Sequence, residues 1–253
     1  MTDDRAELVH YESAECLATI TLDSPHNRNA LSRRLVSGLF DALDRAEGEE
    51  SARVVLLRSA DRVFCSGADL SEAASGGMEE GAKALVALQR RILTHPLPVV
   101  TRLAGPVRAG GLGIVAASDV VICASDVTFA FTEVRLALTP AVISLTVLPR
   151  LTSRGAAESF LTGRSFEADD AVRMGLVTRA VTPADLDAEV DRVCADLAKG
   201  HPQGLRETKA LLTRDVVAHL DEHAEEMAAL SARLFGSDEA REAMTAFLNR
   251  KAR

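Results

Sequence analysis

The chain has no tryptophan and one tyrosine, Tyr11, and aromatic residues make up only 4% of it. A surface that stacks unpaired bases needs several aromatic faces, so a base-stacking nucleic-acid platform is excluded. Positive charge is also scarce. Lys and Arg number 29 against 37 Asp and Glu, for a net charge of -8. Neutralising nucleic-acid phosphates takes clustered cations, so no nucleic-acid partner is expected. The scattered cations still allow a local pocket for a phosphorylated small molecule. Cysteines are few and far apart (Cys16, Cys65, Cys123, Cys194), with no C-x-x-C pair, which leaves reduced, partly buried thiols rather than a disulfide framework or a zinc site. None of the six histidines accompanies a G-x-S-x-G, and Ser66-Gly67 lacks the residues that make a nucleophile elbow. His219 and His223 have ligand-like i, i+4 spacing but charged neighbours and no third ligand, so they read as a solvated helix face, and no metal is expected. No apolar run approaches the ~20 residues of a membrane span, and Met1-Thr2-Asp3-Asp4-Arg5 has no secretory apolar core. A cytoplasmic protein without a membrane partner is expected.

The chain does have enough length and apolar content for a large core: 253 residues, 47% apolar. Leu17 to Leu22 alternates as a half-buried strand and pairs with Leu8 to Tyr11 as a hairpin. A turn-rich loop, Asp23 to Ala30, leads to Ser32, which caps a helix carrying Leu35, Leu39, Ala42 and Leu43 at helical spacing. Arg53 to Ser59 is apolar on both faces, as a strand covered on both sides must be. The stretch 71–81 is polar with glycines and is expected to be mobile. Lys83 to Thr94 is amphipathic and stops at His95-Pro96-Leu97-Pro98. Two short strands, Val120 to Ala124 and Val127 to Phe131, and a strand piece at Gly175-Leu176-Val177 complete the β content. After Thr182-Pro183 only amphipathic helices are read: 185–199, 205–218, 222–235 and 239–249. The pattern is α/β, with a core over residues 1–180 and a helical region over 181–253 expected to mediate self-association.

The centre of the chain holds its chemistry. Pro98 to Leu103 is a β-branched strand, Gly105 to Gly113 a glycine turn, and Leu112 to Ala117 a small-residue helix. A helix that opens on glycines presents bare N–H groups and the positive end of its dipole, suited to a phosphate, a carboxylate or a transient oxyanion. The dinucleotide reading has some support. Gly111-Leu112-Gly113-Ile114-Val115-Ala116 fits G-x-G-x-x-A, with Glu133 about twenty residues on. Against it, five residues separate the preceding strand from the glycines, the segment sits mid-chain, and a single tyrosine leaves no Y-x-x-x-K pair. A second reading joins two small-residue turns, Phe64 to Leu70 and Ala109 to Gly113. If they face each other, each can offer one N–H to a single thioester oxygen, and Glu133, near Phe129 and Phe131, can carry a proton.

These residues resemble the enoyl-CoA hydratase/isomerase, or crotonase, superfamily. Pro25-His26-Asn27-Arg28-Asn29-Ala30-Leu31 is similar to its P-x-x-R-N-A-L. Phe64-Cys65-Ser66-Gly67-Ala68-Asp69-Leu70 is similar to its F-x-A-G-A-D-[IL], with Ser66 for the first alanine. Gly105 to Asp119, Leu161 to Val177 and Glu242 to Leu248 are similar to further motifs, in the family's order. The resemblance implies a ββα spiral core followed by trimerising helices, assembled as a homotrimer or homohexamer. It implies an acyl-CoA enzyme that stabilises a thioester enolate, most simply an enoyl-CoA hydratase. The implied roles are an oxyanion hole from the Ala68 and Gly110 amides and a catalytic Glu133. Coenzyme A, carried by the substrate and not a separate cofactor, would lie along Arg28, Ala30, Ser66, Ala68, Asp69 and Leu70. Its adenine end would approach Phe247 and Lys251 of a neighbouring subunit.

One departure stands out. The family's hydratases carry two glutamates; the second matches Glu133, whereas the first falls on Gly113. The stretch Leu136 to Ser144 also lacks the G-A-G-G-T of the common hydratases and looks more like the branch acting on branched or glutaconyl-type thioesters. A lone carboxylate permits syn hydration or a double-bond shift, and a non-catalytic acyl-CoA binder is the third reading.

Overall fold

The structure, a computed structural model, describes residues 7–60, 62–73 and 77–251. Strands β1 (Val9–Ala14) and β2 (Leu17–Leu22) form an antiparallel hairpin, with Val9 opposite Leu22. Helix α1 (Arg33–Gly48) follows; the Ser32 hydroxyl accepts from the Leu35 amide at 3.3 Å, the cap expected from sequence. Strand β3 (Val54–Ser59) runs parallel to β2, with Val54 to Leu57 buried in succession, because α1 and later helices cover both faces of the sheet.

Next come the single turn α2 (Leu70–Ala73) and helix α3 (Met78–Thr94), which starts five residues earlier than the apolar pattern suggested. Residues 74–76, within the segment expected to be mobile, lie outside the described residues. Strands β4 (Val99–Leu103) and β5 (Val107–Arg108) flank the first part of the glycine turn, and α4 (Gly111–Ala117) is buried along its whole length. Then follow β6 (Val120–Ala124), β7 (Thr128–Ala130), α5 (Ala141–Val147), α6 (Ser153–Thr162), β8 (Phe166–Glu167), α7 (Ala168–Met174) and β9 (Arg179–Val181). The sequence placed a strand on Gly175-Leu176-Val177. Instead Gly175, at φ 91°, is the left-handed cap of α7, and the strand begins at Arg179.

Two sheets result: a six-stranded one ordered β1-β2-β3-β4-β6-β9, parallel after its first pair, and a three-stranded one ordered β5-β7-β8. The architecture is the mixed α/β spiral expected. The last three helices are α8 (Leu186–Ala198), α9 (Pro202–Phe235) and α10 (Asp238–Lys251). Two helices read at 205–218 and 222–235 are one continuous helix. Asp221 does not break it, because the carboxylate is taken up by Arg90 of α3 at 2.6 Å.

Helix α9 packs on α3 and α5 of its own chain. A buried ion pair fixes it there. Lys209 Nζ lies 2.7 Å from Asp119 Oδ2 and donates to the Ile92 and Leu97 carbonyls at 2.8 and 3.1 Å. Asp119 in turn accepts from the Val99 amide at 2.7 Å. A buried cation with a carboxylate and two carbonyls around it meets the conditions under which such a charge is tolerated. The helical region thus covers its own core, while Leu211 and Leu212 stay 66% and 77% exposed on the outer side of α9.

Candidate active site

Two turns meet at the site. The first follows β3. Its approach is set by the loop before α1, where Arg28 and Asn29 both take left-handed backbone angles, φ 58° and 53°. Asparagine adopts that conformation at little cost. The buried Asn29 side chain accepts from the Ser24 amide at 2.6 Å and donates to the Val63 carbonyl at 2.9 Å. Ser66 is tied to the same loop twice: its amide donates to the Arg28 carbonyl at 3.1 Å and its hydroxyl to the Asn27 carbonyl at 3.0 Å. Gly67 then turns at φ 97°, its carbonyl accepting from the Leu31 amide at 2.8 Å, and Ala68 bridges to Leu31.

The second turn follows β5. Arg108 donates its amide to the Cys65 carbonyl at 2.9 Å, which lays β5 directly beside the first turn. A methyl group on Gly67 would stand 2.9 Å from Ala109 Cβ and 3.7 Å from the Gly110 nitrogen; one on Gly110 would stand 3.9 Å from the Ala68 nitrogen. Only glycine permits so close an approach. Among the described residues, neither the Ala68 nor the Gly110 amide has an acceptor within the chain. Both residues line one cavity of about 1080 Å³.

Glu133 lines the same cavity. It opens a short 3-10 turn, Glu133–Leu136, directly after the buried aromatic cluster in which Phe131 lies 4.5 Å from Phe160 and 5.9 Å from Phe166 between ring centres. Its Oε2 is buried without a hydrogen-bond partner. Loss of hydration raises the carboxyl to about 7, only partly offset by its own amide. The upward shift expected from an apolar setting is therefore present.

Of the other residues singled out from sequence, Arg28, Ala30, Ser66 and Asp69 line the cavity. Asp69 plays a structural part as well: Oδ2 accepts from Asn27 at 2.9 Å, and Oδ1 accepts from the Ser71 amide and hydroxyl at 2.9 and 2.6 Å. Those hydrogen bonds outweigh burial and hold its carboxyl below the usual range, although burial alone would raise it. Phe247, on α10, borders the cavity of its own chain, alongside Ser231 and Phe235 from the end of α9. Leu70 begins α2 and Lys251 ends α10; their side chains lie outside the described residues.

Position 113 shows what sequence reading missed. A methyl group there would stand 2.8 Å from Gln89 Oε1 and 2.8 Å from Ile143 Cγ2. Gln89 is fully buried on α3. Its amide donates to the Leu85 and Val142 carbonyls, each at 3.2 Å, and accepts from the Thr146 hydroxyl at 2.6 Å. A single glutamine on an amphipathic helix carries no sequence signal for this, because its partners are 4, 53 and 57 residues away. The cavity lining also includes the apolar residues Leu31, Leu85, Leu138, Ala141, Val142 and Ile143. Among the described residues no cluster of His, Cys, Asp and Glu could hold a metal, and no helix is long and apolar enough to cross a membrane.

Comparison with known proteins agrees with this geometry. The enoyl-CoA hydratase/isomerase family model matches residues 12–253. Over 251 residues the chain is 33% identical to a Rhodobacter capsulatus protein named "Probable enoyl-CoA hydratase", covering 96% of this chain and 95% of that one. It is 31% identical over 215 residues to 4-chlorobenzoyl coenzyme A dehalogenase-2 of an Arthrobacter species, with coverage of 81% and 78%. A crystal structure of an enoyl-CoA hydratase from Mycobacterium avium matches with a TM-score of 0.91 at 45% identity, over 97% of each chain. With a match that runs almost end to end, and with both glycine turns and the buried acid gathered on one cavity, this chain belongs to the enoyl-CoA hydratase/isomerase family of the crotonase superfamily.

Proposed function

We propose that the protein hydrates a 2-enoyl-CoA thioester through a thioester enolate, with Glu133 as its one proton carrier. The observation that carries this is a buried carboxyl with one oxygen that lacks a hydrogen-bond partner, on the same cavity as two amides that lack acceptors among the described residues. The thioester oxygen accepts from the Ala68 and Gly110 N–H groups, which draws electron density from the β-carbon. A water molecule gives a proton to the Glu133 carboxylate as its oxygen bonds to the β-carbon. The negative charge moves to the thioester oxygen, where the two amides stabilise it; losing one such donor typically costs roughly 10²–10³ in rate. Glu133 returns the proton to the α-carbon on the same face, which completes a syn addition and restores the carboxylate. A carboxyl with a pKa of about 7 can both take and give a proton at neutral pH.

Coenzyme A would run along Arg28, Ala30, Ser66, Ala68, Asp69 and Leu70, with Phe247 and Lys251 at its adenine end. Assembly as a trimer or a pair of trimers would cover the exposed Leu211 and Leu212.

A second reading, a 1,3 double-bond shift, is favoured by position 113. With Gln89 and Ile143 filling the space there, no second carboxyl stands at that position, and Asp69 on the same cavity is taken up by Asn27 and Ser71, which leaves Glu133 to handle protons beside the amides. Following loss of enoyl absorbance, with mass spectrometry of the product, separates the readings. Hydration adds the mass of one water, whereas a shift leaves the mass unchanged. Native protein and Glu133→Gln are compared, and the variant is expected to lose 10²–10⁴ in turnover, the usual range for a general acid–base group. If neither turns over any enoyl-CoA while thioesters still bind, the protein is an acyl-CoA binder and the enzyme reading is wrong.

A further inference from the structure

Leu85 of α3 and Val142 and Ile143 of α5 line the cavity together with Gly110. A methyl group on Gly110 would stand 3.2 Å from Leu85 Cδ2, so this wall borders the oxyanion turn directly. Directly behind it lies Gln89, which does not touch the cavity and has no solvent exposure. Its amide nitrogen reaches the carbonyls of Leu85 and Val142, one from each helix, and its oxygen accepts from Thr146. Thr146 also lies 3.3 Å from the carbonyls of Gly113 and Ile143. Both donors and the acceptor of this buried amide are thus engaged, and the bonds cross from α3 to α5 at the residues that form the wall. A fully satisfied buried network holds one arrangement rigidly, because every displacement strands a polar atom.

We propose that Gln89 is a specificity-determining residue: by locking α3 to α5 behind Leu85, Val142 and Ile143 it fixes the depth of the acyl cavity, and by filling the space beside Gly113 it closes that side of the cavity to any further group. The inference rests on the acyl-thioester reading but not on hydration. It identifies the acyl end as a short apolar slot of fixed length with a back wall that does not yield.

The test uses binding of saturated, unreactive acyl-CoA thioesters of increasing length, measured by calorimetry on the full-length protein. Gln89→Ala removes the volume behind the wall and lets Leu85 and Ile143 retreat. Each additional buried methylene contributes about fourfold in affinity, so two more accommodated methylenes should shift the preference for the longer thioester by roughly tenfold or more. Gln89→Met fills the volume without the bonds. It should fold, because the Leu85 and Val142 carbonyls each keep their own helical hydrogen bond, and its length preference should lie between those of the native protein and Gln89→Ala. A third arm addresses Gly113. Gly113→Ala places a methyl 2.8 Å from both Gln89 Oε1 and Ile143 Cγ2 and should weaken thioester binding at least tenfold, whereas in the Gln89→Ala background, where the Gln89 contact is gone and Ile143 can retreat, the same change should cost clearly less. An unchanged length preference in folded Gln89→Ala and Gln89→Met, or additive effects of the two alanine substitutions, would overturn the proposal. Failure of the hydration reading would appear instead as a native protein that binds thioesters with a clear length cut-off but converts none.

Discussion

Replacing Glu133 by glutamine should cut turnover about 10²–10⁴-fold and should change stability relative to the native protein in a pH-dependent way of defined direction. The carboxyl titrates at about 7 in the folded chain against an ordinary 4.5. Between those values the folded protein holds a proton that the unfolded chain has released, so native stability falls as pH rises through that window. Integrating the shift from pH 5 to pH 8 gives a loss of roughly 2–3 kcal/mol. Glutamine does not titrate, so the variant is spared that loss. Its own amide in the same apolar setting has a cost that is constant with pH and cancels in the comparison. For a chain of this size 1 kcal/mol corresponds to roughly 2–4 °C in Tm. The Tm of Glu133→Gln minus that of the native protein should therefore grow by about 5–10 °C between pH 5 and pH 8. The assay is thermal unfolding of both proteins in matched buffers at several pH values, beside the absorbance assay for turnover. A Tm difference that stays flat or shrinks as pH rises would refute the argument that a dehydrated carboxyl supplies the proton.

The same shift sets the pH dependence of catalysis: kcat/KM should fall about tenfold per unit below pH 7, and a profile flat to pH 5 would show an unperturbed acid. Gly110→Pro removes one N–H at a position whose φ of -51° suits the proline ring, while its Cβ would press on Leu31 Cδ1 at 2.9 Å, so turnover in folded protein should fall by at least about 10²–10³; unchanged kcat would remove Gly110 from the oxyanion site. Lys209→Met strands Asp119 in the interior and should cost about 3–5 kcal/mol in denaturant unfolding, with Lys209→Met/Asp119→Asn recovering part of it. His95 is buried and shifted below its ordinary value, chiefly by lost hydration, so its contribution to stability is present above pH 6.5 and is lost as pH falls through the folded value. Relative to native, His95→Gln should therefore lose less stability on going from pH 7 to pH 5, as read from the Tm difference between the two proteins.

Much of the site was legible because its chemistry uses main chain and small residues at fixed local spacing. Gly67, Gly110 and Gly111 stand where the neighbouring turn or its side chains pack too close for a Cβ, and such needs leave marks in sequence. Glu133 announced itself by following two phenylalanines within a few residues. The longer strands β2, β3, β4 and β6 could be read from pattern, β2 by its alternation and the others because strands covered on both faces must be apolar throughout, whereas the two-residue β5 and β8 are too short to show a period and the pattern puts the last strand on the cap of α7. The single helix α9 could not, because Asp221 looked like an interruption until Arg90 was seen beside it.

The sequence by itself determined that this is an α/β acyl-thioester protein of the enoyl-CoA hydratase/isomerase family, with one acid where two are usual. Composition, glycine placement and the run of motifs are local properties of the chain. Only the tertiary structure decided that the two turns abut, that one oxygen of the Glu133 carboxyl is buried without a partner, and that Gln89 fills the space beside Gly113. Each of these depends on which distant segments exclude water from one another, and exclusion of water is a property of packing that no stretch of sequence carries alone.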